Sequence, residues 1–93
     1  MGLPIGTVTV ATAGVRVQVV SSGHAVSAVS FRARASNAGP VYVGDDTVAA
    51  GGGFEISPGD ELDLRFREVV DLRRFYVDAA SNGDRVDYAG VAA

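Results

Sequence analysis

The sequence predicts an all-β domain, an antiparallel β-sandwich or jelly-roll-like barrel of about seven to eight short strands. Three observations point there. Valine dominates, with 16 Val against 4 Leu in 93 residues, and a β-branched side chain, stiff at χ1, packs well on a pleated surface. Apolar and polar residues alternate with period two in several short runs, the pattern of a strand with one buried face. Twelve Gly and three Pro punctuate those runs at regular spacing, as in sandwiches and barrels.

Taken in order, Gly6-Thr7-Val8-Thr9-Val10 alternates briefly and Ala13-Gly14 marks a turn. Val15, Val17 and Val19 then alternate with Arg16 and Gln18, and Ser21-Ser22-Gly23-His24 marks the next turn. From Ser27 to Ala35, one face collects Val29, Phe31, Ala33 and Ala35 and the other Ser30, Arg32 and Arg34, before Asn37-Ala38-Gly39-Pro40 closes the strand. Val41-Tyr42-Val43 is a short strand ended by Gly44-Asp45-Asp46, and Gly51-Gly52-Gly53 leads into the short Phe54-Glu55-Ile56 segment.

The cleanest alternation is Glu61-Leu62-Asp63-Leu64-Arg65-Phe66-Arg67. It follows Ser57-Pro58-Gly59-Asp60, where Pro presets φ for a turn and Gly supplies positive φ. Leu62, Leu64 and Phe66 share one face; four charges share the other, expected to be solvated and to form cross-strand ion pairs. Residues 68–80 carry two patterns. Val69, Leu72, Tyr76 and Ala79 fall at helical spacing behind Asp71, a possible cap. Phe75-Tyr76-Val77 reads instead as strand, and Asn82-Gly83 is a hairpin signal. The favoured expectation is a strand at about 74–79 paired with 84–89, with a loop or single helical turn near 69–73. Met1–Pro4 and Gly90–Ala93 read as short flexible ends of a single domain over residues 1–93.

Composition narrows the function. Without Cys, disulfides, thiolate zinc sites and cysteine nucleophiles are out. His24, the one histidine, cannot assemble a histidine-rich metal site of the cupin kind and reads as a surface residue in a turn. All eight basic residues are Arg, so the Gly51–Gly53 run lacks the Lys of a phosphate-binding loop. Asp45-Asp46 and Asp60-Glu61-Asp63 lack the spaced carboxylates of a calcium loop. A net charge of −3 argues against a nucleic-acid partner, and no signal peptide or membrane-length apolar run stands out. The expectation is a protein that is no enzyme, with no catalytic, cofactor or metal residues. A chain this short has a modest core and gains stability from association.

Interface energy concentrates on aromatic and Arg side chains. On that ground the candidate partner-binding residues are Tyr42, Arg73, Arg74 and Tyr76, with Asp45 and Asp46 beside them.

Several segments together, Ser30–Ala35, Gly39-Pro40-Val41-Tyr42-Val43-Gly44-Asp45, Phe54–Asp60, Asp71-Leu72 and Phe75-Tyr76-Val77-Asp78, resemble small proteins from the structural gene clusters of tailed bacteriophages. The likeness covers about residues 26–88. It implies a sandwich or jelly roll serving as a decoration or minor capsid protein, made in the host cytoplasm and bound to the major capsid protein shell on the virion surface. The alternative is a tail- or fibre-associated receptor-binding or adaptor module. It also implies a homo-oligomer, a trimer suiting the local three-fold points of an icosahedral shell, and brings no catalytic residues.

Overall fold

The structure is a computed structural model that describes residues 4–49 and 52–92. Eight strands run in the order β1 (Ile5–Val10), β2 (Val17–Gln18), β3 (Ala25–Ala33), β4 (Val41–Gly44), β5 (Phe54–Ile56), β6 (Glu61–Asp71), β7 (Tyr76–Ala79) and β8 (Asp84–Ala92). They form two antiparallel four-stranded sheets, a large one ordered β1-β8-β3-β6 and a small one ordered β2-β7-β4-β5. The pairs β1·β8, β2·β7, β3·β6 and β4·β5 are nested like one long hairpin folded over on itself. That is jelly-roll winding, here in an open sandwich rather than a closed barrel.

The core is a valine layer. Val8, Val10, Val26, Val29, Val86 and Phe31 from the large sheet meet Val41, Val43, Ile56, Val77 and Ala79 from the small one. Phe75, just before β7, ties the layers together: its ring lies 5.5 Å from Phe31 and 5.9 Å from Phe66. Such tilted and stacked aromatic contacts add to the burial of their area.

The ambiguous stretch follows the favoured reading in outline: a single 3₁₀ turn (Leu72–Arg74), with Asp71 accepting from Arg73 N–H at its start, leads into a strand, although β6 runs on through Asp71. Two expectations change. A strand does cover most of 74–79, but it does not pair with 84–89: β7 lies between β2 and β4, and β8 lies between β1 and β3. Asn82-Gly83 is therefore an arch between sheets rather than a hairpin turn. Gly83 has φ +82° and its N–H donates to Val10 O at 2.7 Å, so Asn82-Gly83 does make a tight turn, but between strands of different sheets. Finally, Gly90–Ala92 belongs to β8. Gly90 N–H donates to Pro4 O at 2.8 Å, and a Cβ on Gly90 would sit 2.9 Å from both Pro4 and Val26 side chains; this close approach is what the glycine provides. Met1–Leu3 and Ala93, the remaining parts of the expected ends, lie outside the described residues, as does Gly51 of the glycine run.

Candidate functional site

The connection from β6 into β7 carries the two arginines singled out from the sequence. Asp71 fixes it: one carboxylate oxygen accepts from the Arg73 backbone N–H at 2.9 Å, and the other accepts from Arg73 Nε and Nη2 at 3.1 and 2.8 Å. The Arg73 guanidinium, and then its backbone N–H, hold the Asp71 carboxyl down to about 2, and the same contact raises Arg73. Leu72 is buried beneath the turn, and its N–H donates to His24 O at 2.8 Å. His24 itself is exposed. Arg74 closes no ion pair among the described residues.

Opposite this turn, β4 ends at Gly44, which lies in register with Tyr76 at the start of β7. That register delivers Asp45 and Asp46 to the same corner. Asp45 closes a local turn, accepting from Thr47 Oγ1 at 2.6 Å and from Thr47 N–H at 2.9 Å; these bonds, the hydroxyl first, lower its pKa. Asp45, Asp46, Arg73, Arg74 and Tyr76 together line one open depression of about 320 Å³. Five of the six residues proposed from the sequence thus converge, although they come from segments almost thirty positions apart.

No known protein family, curated protein or solved structure matches this chain.

Tyr42 does not reach the depression. Val41 and Val43 point into the core, so Tyr42 faces the outer side of the small sheet, yet it is only 6 % exposed. The β1–β2 connection is tied over that face by Gly14 N–H, which donates to Asp78 Oδ1 at 3.0 Å, and Asp78 is the register neighbour of Tyr42. The tyrosine is thereby removed from the partner-binding set.

The residues that sequence reasoning missed are carboxylates that organise loops. Asp78, 1 % exposed, also accepts from Ala79 N–H at 2.8 Å. Asp84, 5 % exposed, accepts from Ala38 and Gly39 N–H at 2.9 and 3.1 Å. Beside it, Asn37 exchanges two hydrogen bonds with the Arg85 backbone, both 2.9 Å. On the outer face of the large sheet, Arg34 grips Asp87 through Nε and Nη2 at 3.1–3.2 Å while Thr7 Oγ1 donates to the same carboxylate at 2.6 Å. Arg34, then Thr7, lowers the Asp87 pKa. The expected ion pairs of strand 61–67 do not form: Asp63 instead accepts from Ser30 Oγ at 2.6 Å, and Glu61 stands opposite Arg32 without closing a bridge. No three His, Asp or Glu side chains gather in metal-binding geometry among the described residues.

The depression brings together groups capable of directional polar contacts. Arg74 offers a planar guanidinium fork, Asp46 an acceptor, and Tyr76 an amphipathic ring. Arg and Tyr of this kind supply interface anchors.

Proposed function

We propose that this chain is a non-enzymatic structural component of a tailed-bacteriophage virion, a decoration or minor capsid protein that binds the major capsid protein shell. The observation that carries the reading is the division of labour among its polar side chains. Asp78, Asp84, Asn37 and the Arg34–Asp87 pair hold the scaffold, while Asp46, Arg74 and Tyr76 meet at an open, mixed-charge depression fit for docking on another protein. The virion assignment rests on the likeness of residues 26–88 to phage structural proteins. Jelly-roll winding, which viral capsid domains use among others, supports it by analogy of fold alone.

Mass spectrometry with copy counting on particles of the virus that carries the gene tests this reading. Hundreds of copies per particle are expected for a shell decoration. A handful would move the protein to the tail or fibre, and its absence from particles would end the virion reading.

A further inference from the structure

Strand β6 is the longest in the molecule, eleven residues, and it lies at an edge of the large sheet with only β3 beside it. Edge strands invite pairing with another chain, and proteins blunt them with Pro, charged side chains, bulges or short length. Of these devices residues 61–65 carry only charges, Glu61, Asp63 and Arg65, so the sign pattern of those charges decides whether a second copy is repelled. They pair with β3 in unbroken register from Arg32↔Glu61 to Ala28↔Arg65, and the register shift comes only after Arg65.

The ladder shows which backbone groups are free. Ala33 N–H donates to Asp60 O, and Gly59 N–H donates to Ala33 O. Because hydrogen-bonded and non-hydrogen-bonded pairs alternate in an antiparallel ladder, Leu62 and Leu64 also turn their N–H and C=O toward β3. Glu61, Asp63 and Arg65 therefore present theirs to the open edge.

The side chains carry the decisive pattern. The outer face of β6 reads Glu61, Asp63, Arg65, Arg67, so its sign reverses about Leu64. Superposing the segment antiparallel on itself with Leu64 opposite Leu64 sets Glu61 against Arg67, Asp63 against Arg65, and Leu62 against Phe66. Each acid meets a base, each apolar residue meets an apolar one, and the central pair, Asp63 against Arg65, has its backbone groups free to exchange hydrogen bonds. None of the four charges closes an ion pair within the chain, whose bridges are Arg34–Asp87 and Arg73–Asp71 among the described residues. Leu62, Leu64 and Phe66 are only half-buried on the inner face, and a neighbouring strand would extend their cover. A strand of uniform charge would repel its own copy; this one is complementary to it.

We propose that β6 is a self-recognition edge: two copies of this chain join their large sheets antiparallel across a two-fold axis at Leu64, forming one continuous eight-stranded sheet. The contact is isologous, as closed two-fold interfaces are, and it stands independently of the virion reading.

Sedimentation equilibrium on the intact chain and on charge variants tests it. The wild-type chain is expected at twice its 9.5 kDa mass. E61R/D63R makes the face all positive and R65D/R67E makes it all negative; each alone should dimerise at least ~10-fold more weakly, since like charges directly opposite are destabilising. An equimolar mixture of the two should form a heterodimer, and E61R/D63R/R65D/R67E should recover the homodimer. That recovery also shows that the substitutions leave the fold intact. A wild-type chain that stays monomeric at millimolar concentration, an assembly indifferent to the charge reversals, or folded variants that fail to pair when mixed would each overturn the proposal.

Discussion

In the large sheet each strand turns one face to the core and the other to water, whereas the central strands of the small sheet, β4 and β7, are buried on both. Along β3 the burial alternates at Val29, Phe31 and Ala33 with more open Ser30 and Arg32 between them. Along β4, Val41, Tyr42 and Val43 are all buried; along β7, so are Val77, Asp78 and Ala79. Short strands cannot bury a second face against a sheet that does not exist. Here loops take its place, and Asp78 ties the β1–β2 connection down by accepting from its backbone. Asp84, at the start of β8 in the large sheet, ties down the β3–β4 connection in the same way. The large sheet shows its faces by apolar periodicity; the covered outer face of the small one rests on a buried carboxylate, Asp78, where a lost partner leaves a desolvated group behind.

The largest effect should come from the layer both sheets share. Phe31 is fully buried and packs on Phe75, so Phe31→Ala should cost about 3–5 kcal/mol, a large share of the 5–15 kcal/mol typical of a domain. Urea unfolding measures it directly. A loss well under 1 kcal/mol would mean that the two sheets are not coupled through this pair of rings.

A smaller effect separates the sheets. Asp78→Ala orphans the Gly14 N–H and should cost about 1–3 kcal/mol, while also uncovering Tyr42. With no Trp and three Tyr in the chain, tyrosine fluorescence reports this: iodide quenching should rise in D78A and not in D84A, whose lost bonds lie at the β3–β4 connection. Equal quenching in both variants would break the contrast, because the cover over Tyr42 would then not depend on Asp78.

The same contrast explains what could be read in advance. The large sheet was legible because Leu62, Leu64, Phe66 and Val29, Phe31, Ala33 announce their faces by local period two. The exposed positions of Asp45, Asp46, Arg73 and Arg74 were legible too, since charged side chains are poorly suited to burial, and Tyr76 lies half-buried beside them. Tyr42 was not legible. Its neighbour across the sheet is Asp78, which holds Gly14, thirty-six and twenty-eight positions away, and nothing local encodes that meeting. The pairing of β7 failed for a related reason: Asn82-Gly83 specifies a tight turn, but whether the strands beyond it stay in one sheet is decided by which edge is vacant. β7 fills the gap between β2 and β4. Jelly-roll winding makes nearly every connection cross between sheets, so a local turn signal is a weak guide to partners.

The smallest effect falls where the two sheets are joined, at the turn after β6. Asp71 is half-buried, and its low value comes from a local contact with Arg73 rather than from burial. With the folded value depressed from 3.8 to about 2, its contribution is complete above the unfolded value and is lost as pH falls through the folded one. Stability traceable to this pair should therefore hold from neutral pH down to about pH 4 and fade between there and about pH 2. Carbon-detected NMR of the Asp71 carboxyl should show a midpoint near 2, and Arg73→Gln should return it toward 3.8. Salt should blunt the difference, as for any solvent-exposed pair. A wild-type midpoint at 3.8 would mean that Arg73 is not held by Asp71; the depression would then present two free guanidinium groups instead of one, and the docking proposed for it would call for a more acidic surface than the mixed-charge lining implies.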